Sequence, residues 1–596
     1  MSYGIVSVAK SIVEGSFRDA LTWKPLFTLN GTELQIIDNN ESEDELLRLL
    51  IGVAFLQTFI QVNWTGPDID FNLRDIVSLT SEEESLLHSK AVTELAKNGE
   101  PAYHLARFPA FLRLAQILFE NTSYAQCKSA LWWRLRTQLI HQQVLDEPVP
   151  LSPSEIDLFL SLEASYADED PDIRGRLLVD LGRMFYFSSQ DKIAAAYFAK
   201  AAEATGLEYE VTGALGKRTK FQIMSHSQLV LLTKSHLSAE GNDSSSIPST
   251  LPLNDDTLLE STQFTSTNPT SQPPLHPLDQ TILLSLSQII VSTSPSNALT
   301  SEQIAPYITL VISHPQNWSI HTMALLLRSR IESNRTRTVE RATLQLQALV
   351  DQMPTLDSTA AERMQWIHEL WMPSKWNLER ELAKRFFTLG ILRSALQIFE
   401  RLEMWEDVVN CYVSLEQPEK GIEIVTDLLE GRKTESSTVV SRAKSAPLLG
   451  LDRTREAKLW CILGDLTTLP SLKESHYTRA WNLSAQTSAR AIRSLGFLSF
   501  SLSAYGSAIS SLKIAVKINP LIFKAWFILG CAAMKEEDWE TAREAFVRCT
   551  RIEEDDGESW SNLASVYLRM AGEVTTTALG TEKDGGDENE VHFPLS

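Results

Sequence analysis

The sequence predicts an all-α fold: an α-solenoid, a helical superhelix of stacked helix pairs, with a disordered internal linker and a disordered tail. Three observations carry that reading. Apolar residues recur at helical spacing along most of the 596 residues, while strand signals are scarce. The helical stretches are short and separated by turn residues. Towards the C-terminus, one pattern of small and bulky residues returns every 34 positions.

Bulk properties bound the rest. A chain of 596 residues exceeds one ordinary core, and an apolar fraction of 43% with 14 Trp and 23 Phe supplies ample material for burial. A net charge of −22 repels phosphate backbones and anionic bilayers, so neither nucleic acid nor a membrane is an expected partner, although local basic patches are compatible with it. Cys127, Cys411, Cys461, Cys531 and Cys549 are scattered, odd in number and never form CxxC. They read as reduced core thiols of a cytoplasmic or nuclear protein, with no zinc site. The opening "MSYGIVSVAKSIVEG" has no sustained apolar core or small-residue cleavage site, so no secretory signal is expected.

In chain order, residues 1–235 form an N-terminal helical region. Leu46–Val62, "LLRLLIGVAFLQTFIQV", is its most apolar stretch; Arg48, Gln57 and Gln61 interrupt it, which favours a buried helix over a membrane span. "PAFLRLAQILFE" opens with Pro109 at a first helical position, where the missing N–H costs nothing. Another apolar-striped helix follows at 126–145. Residues 236–280 hold 20 Ser, Thr or Pro and no Lys or Arg, a composition unable to bury enough to order itself, and they read as a disordered acidic linker. Residues 281–431 read as an array of helical hairpins with turns near Gly390, Glu403 and Pro418. A flexible linker at 432–452 precedes the tandem repeats at 453–570, and residues 571–596 read as a disordered acidic tail.

The repeat aligns on Gly496, Gly530 and Ala564. Ile492, Trp526 and Trp560 lie four positions before these, and Leu495, Leu529 and Leu563 one before. Ala508 and Ala542 follow twelve after, then Leu512 and Phe546, then Ala515 and Cys549, and Pro520 closes one unit. Large, Leu-Gly, Ala, Phe and Pro at this spacing is the tetratricopeptide signature. Small residues let helix A and helix B approach, bulky ones fill the holes, and Pro separates units. Leu178, Leu181, Gly182, Phe185, Ala194, Phe198 and Ala201 occupy the same slots upstream, in a unit at about 175–208, and Trp460, Leu463, Gly464 and Ala480 form a looser one.

"GALGKRTK" (213–220) resembles a torn nucleotide-binding loop. Such a loop needs Gly where Val211 stands and Ser or Thr where Arg218 stands, after a β-strand. The segment follows a helix B and reads instead as a basic inter-helix turn.

Several blocks carry a family resemblance: "ELLRLLIGVAFLQTFIQVNWTGP", "LWWRLRTQLIHQQVLDE", "TGLEYEVTGALGKRTKFQ", "LNDDTLLE", "SHPQNWSIHTMALLLRSRIE", "RELAKRFFTLGILRSALQIFERLEMWEDVV" and "AWFILGCAAMKEEDWETAREAFVRC". Over about residues 45–570 the chain resembles the tetratricopeptide repeat protein 27 family, whose fungal members are named for maintenance of the cell wall. The resemblance implies an all-helical, non-enzymatic, intracellular protein acting in complex assembly, with a link to cell-wall integrity. Past "WSNLASVYLRM" the chain departs from the family pattern. Thr576 stands where Ala belongs, so the helix at about Glu558–Met570 is expected to lack its partner and expose an apolar face.

Enzymatic constellations are absent: His104, His141, His314, His321 and His368 are dispersed, and "HEL" at 368–370 reads as a solvated helix face. No catalytic residue, metal or cofactor is expected. The repeat resemblance implies a partner groove lined by helix A, at Arg490, Arg493, Phe497 and Phe500 in one unit and Lys524, Phe527, Cys531 and Met534 in the next. Three cations over an apolar floor suit an acidic peptide with hydrophobic anchors; alternatively the apolar members are core covered by neighbouring helices. The two-Lys, two-Asn clamp for chaperone tails is disfavoured, since Arg493 and Phe497 stand around Gly496, Cys531 follows Gly530, and only Asn562 fits. The expected role is a scaffold or adaptor for protein partners. The alternative is a chaperone-associated assembly factor (co-chaperone) that meets heat-shock chaperones or their clients by another surface.

Overall fold

The computed structural model describes residues 3–23, 27–30, 33–36, 42–77, 79–121, 124, 126–237, 247–265, 272–294, 298–432 and 453–579. They divide into two units, Met1–Ser494 and Leu495–Ser596, with the boundary inside the helix Ala489–Ser501. Both are built from stacked helices of the α-solenoid class, as the periodicity predicts.

In the first unit, helices Tyr3–Val13 and Phe17–Thr22 lead to a short antiparallel hairpin, β1 (Phe27–Asn30) and β2 (Glu33–Ile36). The helix Ser42–Ile60 then runs into a π-turn at Gln61–Thr65. Its stretch Glu45–Thr65 is long and apolar enough to cross a membrane by composition, yet 83% of its most apolar window is buried. Phe55, Leu56, Phe59 and Ile60 have no exposed surface, and the buried Gln57 and Gln61 find partners in the His368 ring and the Pro67 carbonyl. Polar side chains with internal partners are tolerated in a core. The helix packs on Pro109–Asn121, which begins on its proline as expected. Ala130–Val144 and Pro153–Ser165 follow, and the second is started by a reciprocal cap. Ser152 Oγ accepts the Glu155 N–H at 3.2 Å, while the Glu155 carboxylate accepts the Ser152 N–H at 2.8 Å.

The first repeat unit is the hairpin Pro171–Phe187 and Asp191–Thr205. A Cβ at Gly182 would meet the Phe198 ring at 2.5 Å, so the small residue admits the bulky one four residues after Ala194. The chain then becomes extended. β3 (Glu208–Thr219) pairs antiparallel with β4 (His226–Lys234) from Glu208↔Lys234 to Gly216↔His226. β5 (Leu258–Phe264) joins the other edge of β3, giving the order β4-β3-β5.

This sheet corrects two expectations. "GALGKRTK" lies on a strand, not in a turn between helices, because "EYEVTGALGKRT" and "HSQLVLLTK" satisfy each other's backbone groups across a long ladder. The stretch 236–280 is in part structured: β5 lies within it, and polar contacts hold the described residues just before β5. Asp255 Oδ1 accepts from the Thr257 and Leu258 N–H groups, and Gln345 holds the Leu251 N–H and the Ser249 carbonyl. The buried Leu275 leads into helix Pro277–Thr293, whose N–H at Leu278 is capped by His276 Nδ1. Residues 238–246 and 266–271 of the expected linker lie outside the described residues.

Helices Ala298–Ser313, Trp318–Glu332, Val339–Gln352, Lys375–Thr388, Leu392–Arg401, Trp405–Ser414 and Pro418–Leu429 continue the array. Turns fall where expected: Gly390 and Glu403 have positive φ (78° and 52°), and Pro418 opens its helix. One apolar core runs from Val8 to Leu402. The expected linker 432–452 lies outside the described residues apart from Arg432. Arg453–Leu466 and Pro470–Leu483 form the looser repeat unit, with Tyr477 against Gly464 supplying the bulky residue that the sequence pattern did not place.

The second unit takes in the end of Ala489–Ser501, then Tyr505–Ile518, Phe523–Lys535, Trp539–Ile552 and Gly557–Leu579. Gly496 lies against Leu512 and Gly530 against Phe546, the same interlock as in the first unit. The last helix runs to Leu579, nine residues beyond the expected end at Met570, because "AGEVTTTAL" holds no proline to stop it. Residues 580–596 of the expected tail lie outside the described residues. Leu563 and Val566 are buried in the core, whereas Trp560, Tyr567 and Leu568 are exposed; among the described residues no helix follows to cover them.

Candidate partner-binding site

The expected groove residues fall into two groups. In the second unit, Phe497, Phe500, Phe527, Cys531 and Met534 are half-buried. Phe527 stands edge-on to the fully buried Phe546 at 5.9 Å and stacks on Phe523 at 5.8 Å, while Phe500 meets Tyr505 edge-on at 5.6 Å. Phe497 and Phe527 therefore brace the core with one part of the ring and show solvent the other, while Phe500 is held by Tyr505. Lys524 is exposed, with its ammonium 5.7 Å from the Phe497 centroid, a cation–π distance.

Arg490 and Arg493 belong to the first unit and are engaged there. Arg490 donates to both Glu406 oxygens at 2.9 and 3.1 Å and lies 3.3 Å from Asp465. Arg493 holds Glu147 in the same bidentate way, at 2.9 and 3.2 Å. Burial disfavours the Arg490 charge, but the Glu406 carboxylate outweighs it and the guanidinium pKa is raised. The paired planar geometry is the strong form of this interaction. Two of the three cations expected over the apolar floor are thus committed within the chain, and Lys524 is the one of the three that is exposed.

The first unit holds a feature that local reading of the sequence missed. A cleft of about 530 Å³, within the range of small-ligand sites, is lined by residues from 62–107 and 350–402. Its floor is Tyr103 stacked on Trp376 at 4.7 Å, with the Tyr103 hydroxyl donating to the Leu402 carbonyl at 3.0 Å. Most of its charges are matched internally: Asp68 with Arg107 at 2.7 Å and Lys375 at 3.6 Å, and Glu379 with Arg401 at 2.7 Å. Burial lowers the Lys375 pKa against the pull of Asp68. Tyr103 and Trp376 also line a smaller cavity of about 120 Å³, where His104 Nε2 and Glu403 lie 2.6 Å apart. No local motif announces either cavity, because their walls meet only on folding.

The five histidines are dispersed as expected, but "HEL" is no solvated face. His368 and Glu369 sit in a buried 3₁₀ turn, because Glu369 is drawn inward by Arg136 at 2.7 Å. Arg136 also binds Asp180 at 2.8 Å, and Asp180 accepts from the Trp132 indole at 2.7 Å. Burial raises the Glu369 pKa against the opposing pull of Arg136, and burial drives the His368 pKa well down. Ion pairs of this kind are costly to dehydrate, and here one oxygen each of Asp180 and Glu369 is buried without a hydrogen-bond partner. His141 and His321 are held down to about 4, first by burial.

No family model matches the sequence. Curated relatives do. A TPR repeat-containing protein of Schizosaccharomyces pombe is 35% identical over 600 residues, 91% of this chain and 70% of its own length. The tetratricopeptide repeat protein 27 homolog of Dictyostelium discoideum is 33% identical over 547 residues, 84% of this chain and 60% of its own. Essential for maintenance of the cell wall protein 1 of Saccharomyces cerevisiae is 25% identical over 631 residues, 89% and 67%. This chain thus spans 60% to 70% of the length of these three relatives. The likeness to solved structures is loose: the crystal structure of the APC/C hetero-tetramer Cut9-Hcn1 aligns with 95% of this chain and 83% of its own at 12% identity and a TM-score of 0.28, so the fold rests on the helices described above. With the repeat spacing, the interlocked helix pairs and relatives at this identity in agreement, the chain belongs to the tetratricopeptide repeat protein 27 family.

Proposed function

We propose that the chain is a non-enzymatic scaffold that holds protein partners during complex assembly, in the cytoplasm or nucleus. The observation that carries this reading is the surface of the second unit, where Phe497, Phe500, Phe527 and Met534 remain half-exposed beside the cation of Lys524. Rigid aromatics anchored by their own core offer contact area at little entropic cost. Because Arg490 and Arg493 are spent on internal carboxylates, the partner segment is mainly apolar with a single acidic contact, a narrower chemistry than a strongly acidic peptide. The five free cysteines support a reducing compartment. The name of the Saccharomyces relative supports a role bearing on cell-wall integrity.

The test is a surface variant, Phe500→Ala with Lys524→Glu, compared with wild type by tagged purification and quantitative mass spectrometry. Circular dichroism confirms that the helices persist. The reading predicts loss of a defined set of co-purifying proteins, by about tenfold or more. An unchanged set with intact helices contradicts it.

A further inference from the structure

The sheet carries a surface that the repeat reading does not use. β3 and β4 meet at a tip bearing Phe221, Ile223 and Met224, which are 77%, 89% and 74% exposed. Leu215, 56% exposed, stands on β3 next to the tip, and Val211 and Leu229 continue the same face, since Val211, Gly213 and Leu215 alternate to one side and Gly213 pairs with Leu229. At about 3.4 Å per residue, the stripe from Leu215 to Val211 runs back roughly 14 Å from the tip region. Soluble proteins seldom leave large side chains grouped in water unless something covers them.

Cations gather beside this tip. Lys217, Arg218 and Lys220 close β3, and Arg335 and Arg337 follow the helix Trp318–Glu332. Glu302 accepts from Arg218 at 2.6 Å and from Arg335 at 2.7 Å, which draws the two guanidinium groups to one place. Thr257 links the others: its carbonyl accepts the Lys220 N–H at 2.8 Å and its hydroxyl the Arg337 guanidinium at 3.3 Å. Arg218 and Arg335 are thus shared by Glu302 and Arg337 lies near Asp255, so the charge left for an occupant is that of Lys217 and Lys220 at the end of the strand, on a chain of net charge −22.

We propose that this hairpin is a second docking element, which takes an acidic segment of a partner protein whose apolar side chains cover Phe221, Ile223, Met224 and Leu215. The charge selects an acidic occupant and the exposed side chains require an apolar one. A protein fits better than an anionic bilayer. Insertion tip-first leaves the stripe along β3 uncovered, and the net charge of the whole chain opposes approach to such a surface. The element lies outside the repeat helices, so its failure leaves the scaffold reading untouched.

The experiment selects a phage-displayed library of random peptides on the full chain and measures a recovered peptide by fluorescence anisotropy. Expected are peptides that join Asp or Glu to Leu, Phe or Trp, and that weaken about tenfold or more on Phe221→Asp with Ile223→Asp and, separately, on Lys217→Glu with Lys220→Glu. The tip side chains are exposed, so these variants keep the melting temperature of wild type. Recovered peptides without acidic bias, or with affinity equal in both variants, overturn the proposal. So does co-sedimentation with phosphatidylserine-containing vesicles but not with phosphatidylcholine alone, which would make the tip a membrane contact.

Discussion

Glu100 shows what the fold demands of single side chains. It closes a turn with Lys97 and is buried, and its carboxyl is pushed from an ordinary 4.5 up to about 8, first by burial and then by Glu147 and Asp146, with Arg493 and Lys458 pulling the other way. Between those two values the folded chain keeps a proton that the unfolded chain has released, so stability falls as pH rises through the window. His141 and His321, depressed to about 4 from 6.5, contribute oppositely: their share is complete above about 6.5 and is lost as pH falls towards 4. Comparing wild type with Glu100→Gln isolates the carboxyl. Melting curves between about pH 5 and pH 8 are expected to show the variant gaining on wild type as pH rises, by at least about 1 kcal/mol; parallel curves would place Glu100 in water. Little at this scale was legible in the sequence. Arg493 and its partner Glu147 are 346 residues apart, and Arg136 meets Glu369 across 233, separations at which no local pattern announces a pair. The cations of the expected groove were recognised as cations, but their commitments were invisible.

Among the elements, the helix pairs were the most legible, because their signal is steric and local. Gly182, Gly464, Gly496 and Gly530 each admit a bulky side chain of the following helix, and spacing alone placed all of these pairs except Gly464 with Tyr477. That packing makes a differential prediction. Alanine is the better helix former by about 1 kcal/mol, yet at Gly530 its Cβ would lie 2.7 Å from the Phe546 ring. Gly530→Ala is expected to destabilise the chain by about 1–3 kcal/mol in chemical denaturation. Gly506→Ala, with nothing within 4 Å of the added carbon, is expected to be neutral or stabilising. Equal effects at the two sites would refute the interlock. The sheet went unread for a different reason. β3 follows helix Asp191–Thr205 after only two residues, and its glycines and charged residues resemble a loop, so the decisive partner β4 had to be paired before either strand was evident. β5 sits in a segment whose composition argued against order, and it is held by Asp255, Thr257 and the β3 ladder.

For the whole molecule, the sequence indicated the fold class and the family, while the cleft at Tyr103 and Trp376 and the basic hairpin arise only from the assembled first unit. The two units share one construction rule, a small residue on one helix receiving a large one from the next. What the rule leaves over is surface: aromatics braced by the core and half-open to water, suited to contact with another protein. The central claim is that the helix A surfaces of the repeats hold partners. Hydrogen–deuterium exchange on the chain alone and in complex with a co-purified partner tests it most directly. The account predicts slowed exchange on partner binding in Ala489–Ser501 and Phe523–Lys535; a complex that leaves both helices exchanging at their free rates would contradict it.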